Sequence, residues 1–418
     1  MMQPLIFACF IFLTFFPLSL AAQELRFRLF GGDHGRTTLP VRVPLEDFRA
    51  GADSVQLRVF RQYPGRRVAL KSQVQPGDPA QLWFVPDAPI APGAAAKFVV
   101  VAEKSFLKEP VGPGVETDSI AIRLYAAGRP VLEYRKALQP APPGVDALFA
   151  KSGFIHPLYS PTGNVLTRIQ PPDHYHHYGI WNPWTVVRVG DQEVDFWNLG
   201  LGQGTVRYAG TLGTSEGPVY SGFRLVQEHV QFRSGGERMV LMETWELRSF
   251  PVELEGKSCT LVDLIVTLHN NLDEPVELSD YLYGGGIGFR ATEHWTRHNS
   301  RVLTSEGKTR RDVDGSTARW CLVEGDFPGG TRSGIVFFSH PGNRAHPEPM
   351  RVWPEDAVEG RGDLFFEFCP IRHQKWHLLP GREYVLKYRM LVYDGDLQPA
   401  TIESVWHSTA DRLIFAWE

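Results

Sequence analysis

The sequence predicts an all-β protein: a large, many-stranded β-sandwich preceded by a small immunoglobulin-like β-sandwich domain. Three observations lead there. Short runs with period-two alternation recur along the chain, and 40 Gly and 32 Pro punctuate them. No long amphipathic helical pattern interrupts the series. At 418 residues, 43% hydrophobic and 22% charged, the chain is too long for one small domain and has the make-up of a globular protein with a sizeable core.

Residues 1–22 carry no charge and hold an apolar run over 5–20; small Ser19, Ala21 and Ala22 then lead to polar Gln23 and Glu24. This pattern reads as a cleavable signal peptide cut after Ala21 or Ala22, and so as a secreted or periplasmic protein. An uncleaved anchor is the alternative, but the run is short for a spanning helix. Nothing downstream is long and apolar enough to cross a bilayer, so no integral membrane domain is expected. Residues 23–110 have the size of one immunoglobulin-like sandwich, with Val55, Leu57 and Val59 alternating against Gln56, Arg58 and Phe60. Pro and Gly then cluster over 108–117 (KEPVGPGVET), a composition that separates domains. Residues 115–418 exceed a simple sandwich and predict a double-layered supersandwich, mutarotase-like in kind. Segments 239–248 and 260–268 are strand-like, and Tyr384, Leu386, Tyr388, Met390 and Val392 share one strand face opposite Lys387 and Arg389. The Pro-rich stretch 139–144 reads as an ordered loop within that domain.

Net charge is −4 with no long run of either sign, so nucleic acid and anionic membranes are not expected partners. Of four cysteines, Cys9 leaves with the signal. Cys259, Cys321 and Cys369 allow at most one disulfide and lack zinc-ribbon or redox spacing, so buried, inert thiols are expected.

The chemistry concentrates in Asp173-His174-Tyr175-His176-His177-Tyr178-Gly179-Ile180-Trp181, just after Pro171-Pro172. Three of 14 histidines fall within four residues. Imidazole exchanges protons near neutral pH and is the commonest metal ligand. In an extended segment His174 and His176 would point one way and His177 the other. The pair His174 and His176 could then hold a metal with Asp173, or the three histidines could act as general acid and base. A loop of hydrogen-bonded, stacked histidines is the structural alternative. Trp181, Trp184, Phe196 and Trp197 crowd around the motif, a composition that fits either a sugar-stacking surface or a large β core. Glu243, on the strand face of Leu241 and Trp245, is the candidate acid partner; a salt-bridged structural Glu is the alternative. The glycines of 283–290 lack the setting of a phosphate loop and are expected to allow close backbone approach, with Arg290 beside them. His156, Trp181, Trp197, Arg290, His340, Asn343 and Arg372 are candidate substrate contacts; a structural ion pair is the alternative for Arg372.

Several motifs, FIHPLYSPTGNVLTR, DHYHHYGIW, VDFWNLG, YGGGIGFRA, RWC, HPEPMRVWP and FFEFCPIRHQKW, together resemble a secreted bacterial family labelled "methane oxygenase PmoA-like". The resemblance covers most of 115–418. Family members show Asp-His-Pro-His-His-Arg-Gly where this chain has Tyr175 and Tyr178 in place of Pro and Arg. It implies a secreted β protein from polysaccharide-degrading systems, not a spanning monooxygenase subunit. The leading expectation is a carbohydrate-active enzyme (hydrolase, lyase or epimerase) whose His174, His176, His177 and Glu243 line a cleft. A divalent metal ion polarising a sugar oxygen is an admissible variant. A non-catalytic glycan-binding protein is the second expectation and a metal-dependent oxygenase the third.

Overall fold

The computed structural model describes residues 24–45, 56–77, 79–103 and 114–418. Residues 1–22, read above as a signal peptide, and most of the 108–117 junction lie outside these.

The fold is all-β, as the sequence predicts. In the N-terminal unit, a sheet of Arg66–Leu70, Gln56–Tyr63, Ala95–Glu103 and Glu24–Phe30 faces a three-stranded sheet of Val41–Pro44, Gln81–Phe84 and Ser72–Gln75. Alternation buries Phe27, Leu29, Val59, Phe84 and Phe98 between them. The sequence reading assigned the chain's end to the large unit. Instead Phe415–Trp417 returns to pair with Glu24–Phe30, and the Trp417 ring lies 5.1 Å from Phe27. An otherwise open edge is covered by this strand.

The large unit has two antiparallel eight-stranded sheets. One, here the back sheet, runs through Gly204–Ser215, Ser221–Arg233, Gly236–Leu254, Lys257–Asn270, Glu383–Asp394, Arg332–Ser339, Trp320–Asp326 and Ser300–Thr304. The other, the front sheet, runs Met350–Val352, Phe365–Phe368, Ile287–Arg290, Ile180–Trp181, Phe154–Leu158, Arg129–Arg135, Ala121–Ala126 and Gly114–Thr117. Their facing sides build one core: Leu264, Val266 and Leu268 from the back sheet meet Ile122, Leu124, Ile155 and Phe289 from the front. Sheet-on-sheet packing of this kind follows from the period-two pattern.

A helix, Pro399–Ala410, lies on the outer side of the back sheet. Its Ile402 and Val405 pack with Phe250, Leu261 and Leu391 and with Leu39 and Trp83 of the N-terminal unit. No amphipathic signal marks it in the sequence, because only Ile402 and Val405 are buried, one turn apart. Pro399 occupies its first turn, where its missing N–H costs nothing.

The front sheet sets the functional geometry. Ile155, Ile180, Phe289 and Phe366 point into the main core; their neighbours Phe154, Trp181 and Phe365 point to the opposite, outer side. Arg290, next to Phe289, joins them there and packs its guanidinium 4.6 Å over the Trp353 ring.

Candidate functional site

The glycine-rich segment 283–290 works by close approach, not by cradling phosphate. A Cβ at Gly285 would lie 2.0 Å from the Trp184 ring, and one at Gly286 would lie 2.0 Å from the Phe368 carbonyl oxygen. Both residues also have positive φ, 78° and 62°. The strand that carries Arg290 can therefore seat directly against Phe365–Phe368.

The histidine segment is not extended. The amide of His174 donates to the carbonyl of Pro171 (2.9 Å) and that of His177 to the carbonyl of His174 (3.0 Å), giving two consecutive tight turns. Alternation therefore does not apply, and the rings converge instead of splitting to opposite faces. The His174 ring lies 4.7 Å from that of His177 and 5.4 Å from that of His176, which is 4.8 Å from His177. Gly179 closes the turn at φ 63°, where an added Cβ would collide with the Ile155 carbonyl.

Beneath the turn, His177 is 1% exposed and surrounded by Trp181, Trp197, Trp353 and Phe365, with ring centroids 5.1 to 5.6 Å away. Arg290 Nη1 lies 3.5 Å from His177 Nδ1. A guanidinium can only donate, so Nδ1 carries the lone pair and Nε2 the proton. Burial, reinforced by His176 and Arg290, holds the His177 pKa well below the usual range. Burial likewise lowers His176 to about 4. Both imidazoles are neutral at physiological pH.

Arg290 is the electrostatic centre. Fully buried, its Nη2 donates to Asp173 Oδ2 (2.8 Å) and Asp363 Oδ2 (2.6 Å). Asp363 is also bound by Arg168 (3.3 Å) and Arg361 (2.8 Å). Burial alone would raise the Asp173 pKa, but hydrogen bonds from His174 and Arg290 hold its carboxyl well below the carboxylate range. Asp173 Oδ2 in turn lies 2.8 Å from Nδ1 of the half-exposed His174. Beside the histidines, Asp195 accepts from Thr185, the amides of Trp197 and Asn198, and the Asn198 side chain, which fixes the Trp197 loop. The Nε1 atoms of Trp181 and Trp197 are buried and meet no acceptor among the described residues.

The structure thus brings together Asp173, His174, His176, His177, Trp181, Trp197 and Arg290. The predicted partner Glu243 lies elsewhere. It faces into the core between the sheets, where it pairs with His229 (2.5 Å), Asn182 (2.8 Å) and the Trp245 indole. The front sheet separates it from the histidine turn. Period-two alternation placed Glu243 correctly with Leu241 and Trp245, but not which wall that face meets. Trp184 and Phe196 are core residues; Phe196 packs on His229.

His156 sits next to the turn, its Nδ1 2.8 Å from Thr167 Oγ1, with its pKa lowered to about 4 by burial. Arg372 is a structural clamp: it holds Asp314 (3.1 Å) and the carbonyls of Leu282 and Met350. His340 accepts from the Gly342 amide and lines a groove of about 540 Å³ between the two units, away from the histidine turn. Asn343 braces backbone, bonding the amide and carbonyl of Lys387 and, at 2.9 Å, Glu348.

That last contact yields a pH prediction. Glu348 is fully buried, and burial raises its pKa to about 7 against hydrogen bonds from Ser339, Asn343 and Tyr388. A folded pKa above the unfolded value stabilises fully below about pH 4.5, and the contribution is lost as pH rises through 7. Glu348→Gln should therefore gain stability relative to wild type from pH 5 to 8, by up to about 3 kcal/mol. Tyr388 can reverse its hydroxyl to accept from the new amide. Paired urea melts at pH 5 and 8 read the difference; a flat difference would mean the carboxyl is ionised at both.

Asp173, His174 and His176 do not present a group of three converging ligand atoms. Ligand atoms of three such residues come within 4.8 Å of one another at a different place among the described residues. Asp173 is already committed to Arg290. Among the described residues, Cys259, Cys321 and Cys369 are buried and unbridged, as expected.

Sequence reasoning missed Trp353, Phe365, Asp363 and Tyr283, whose hydroxyl accepts from the Trp353 indole (3.1 Å) and whose ring lies 5.2 Å from that of Trp197. Trp353 and Phe365 lie within motifs marked by the family resemblance, but nothing local marks them as neighbours of His177. Fold and site together define a two-unit β-sandwich protein with a histidine–carboxylate–arginine centre on the outer side of one sheet.

The chain belongs to a family of unknown function, DUF6807, whose model matches residues 121–407. No curated protein matches it. Among solved structures, a galactose mutarotase related enzyme from Lactobacillus acidophilus is similar over 72% of this chain and 99% of that one, at 9% identity and a TM-score of 0.32.

Proposed function

We propose that the protein acts on a sugar by proton transfer at the histidine turn, with His174 as the proton carrier. The Asp173–His174 pair carries this reading. Its 2.8 Å hydrogen bond fixes a proton on Nδ1 and leaves Nε2 as the working nitrogen. Arg290 orients Asp173 from below. Neutral His176 alongside can accept a hydrogen bond from a sugar hydroxyl, while the buried indoles of Trp181, Trp197 and Trp353 form the apolar wall behind the histidines. Two-carboxylate hydrolysis fits less well. It needs a pair of free carboxyls roughly 5–10 Å apart, whereas Asp173 is bound to Arg290 and Glu243 lies across the sheet. Epimerisation or elimination suits an imidazole site better. With residues 1–22 read as a cleaved signal, the substrate is an extracytoplasmic glycan. An oxygenase, in line with the PmoA-like label, would need converging redox-metal ligands at the turn, and the geometry does not favour them.

Glycan binding without turnover is the second reading, favoured by the deep, locked position of His177. A panel of neutral and acidic mono- and oligosaccharides, followed by anomeric and product NMR and by tryptophan fluorescence, separates the two. Turnover supports proton-transfer chemistry. Saturable quenching without turnover supports binding, and neither response to any sugar would discard both.

A further inference from the structure

A second cluster of metal-ligating groups lies far from the histidine turn, where the N-terminal unit meets the C-terminal helix. We propose that His34, His407 and Asp411 form a divalent transition-metal site, with zinc as the fitting ion, that pins the two units together.

His34 lies in the turn that follows strand Glu24–Phe30. His407 is in the last turn of helix Pro399–Ala410, and Asp411 caps it. His34 and Asp411 are 377 positions apart in the chain. Among the described residues, this is the group of His, Cys, Asp or Glu whose ligand atoms all lie within 4.8 Å of one another.

The spacing is that of a coordination shell. His34 Nδ1 is 2.9 Å from Asp411 Oδ2, and His407 Nδ1 is 3.5 Å from the same oxygen. A tetrahedral zinc with bonds of about 2.0–2.1 Å separates its ligand atoms by roughly 3.3 Å. The two observed edges bracket that value.

The surroundings prepare the ligands. His407 Nε2 faces Glu403 Oε1 at 3.4 Å, so its proton belongs there and Nδ1 keeps the lone pair. A carboxylate behind a ligating imidazole is the usual outer support of a zinc site. Glu403 is itself held by Arg319 and by the Trp320 indole (2.8 Å). The rings of His34 and His407 stack with centroids 3.5 Å apart, so the half-exposed His34 ring must turn for both in-plane lone pairs to meet one ion. Arg36 is turned to the backbone carbonyls of Phe30, Ser408, Asp411 and Arg412, leaving the Asp411 carboxylate to the imidazoles. Two neutral imidazoles and one carboxylate suit zinc better than magnesium or calcium. The His34 side chain is 49% exposed, so solvent can supply the fourth ligand. This site is independent of the sugar reading.

The test uses the whole protein, stripped with chelator, re-equilibrated with zinc chloride, dialysed and analysed for metal. About one zinc per chain is expected, with a rise in Tm on zinc addition and none on magnesium. His34→Gln and His407→Gln should each lose the bound zinc and the Tm rise, whereas His174→Gln should keep both. Glu403→Gln should weaken binding about 10- to 100-fold. His34 is an exposed turn residue, so its variant keeps the fold, which circular dichroism verifies. Failure of wild type to retain zinc overturns the proposal. So does equal zinc retention by folded His34→Gln and His407→Gln, which would move the metal elsewhere.

Discussion

Arg290→Met is expected to cost about 3–5 kcal/mol of folding stability, the range for breaking a buried ion pair from one side. The guanidinium is fully buried and holds Asp173 and Asp363 at 2.8 and 2.6 Å. Removing it leaves two carboxylates on the outer side of the front sheet without their common cation. Arg168 and Arg361 still neutralise Asp363, so the loss should fall at the low end of the range. Arg290→Lys should recover only part of it. An ammonium is a compact point charge, whereas the guanidinium reaches both carboxylates through Nη2, faces His177 through Nη1 and packs its plane on the Trp353 ring. Urea unfolding of the three proteins measures the effect. A loss under about 1 kcal/mol for Arg290→Met, the size of a surface pair, would mean the neighbouring arginines suffice and Arg290 is not the centre of the site.

His174→Gln is expected to lower turnover of a confirmed sugar substrate by about 10²- to 10⁴-fold, the range for removing a general acid–base group. Its side chain is 36% exposed, so stability should stay within about 0.5 kcal/mol of wild type. Asp173→Asn should produce a smaller fall in kcat, because the amide still contacts Nδ1 but no longer stabilises the imidazolium. His177→Ala differs in kind. It opens a cavity among four aromatic rings and should mainly lower the melting temperature. Unchanged kcat in His174→Gln, with the variant folded, would remove His174 from the mechanism.

Much of the architecture was legible from local pattern. The face shared by Tyr384, Leu386, Tyr388, Met390 and Val392 lies on strand Glu383–Asp394, and 239–248 and 260–268 fall within two of the longest strands. The helix was not legible, since its buried stripe is two residues wide. The concentration of chemistry at 173–177 could also be read, because residue type and spacing along the chain are local facts. Its geometry could not. An extended reading sends His177 away from His174, whereas two tight turns bring the rings together.

What the sequence determined by itself is therefore the all-β class, the strands around 56–60, 239–248, 260–268 and 384–392 with the faces their residues take, and the location of the histidine cluster. Period-two alternation encodes these, and it needs no knowledge of neighbours. Only the tertiary structure decided which faces meet. Glu243 was on a correctly assigned face, yet that face turned out to be the interior, across a sheet from the histidines. Arg290 had no visible partner until three distant segments delivered Asp173, Asp363 and Trp353 to it. His34 and Asp411, 377 residues apart, became neighbours because the last strand and helix fold back on the first unit. Such pairings depend on sheet order and on how apolar faces are covered, free-energy minima of the whole chain that no local pattern records.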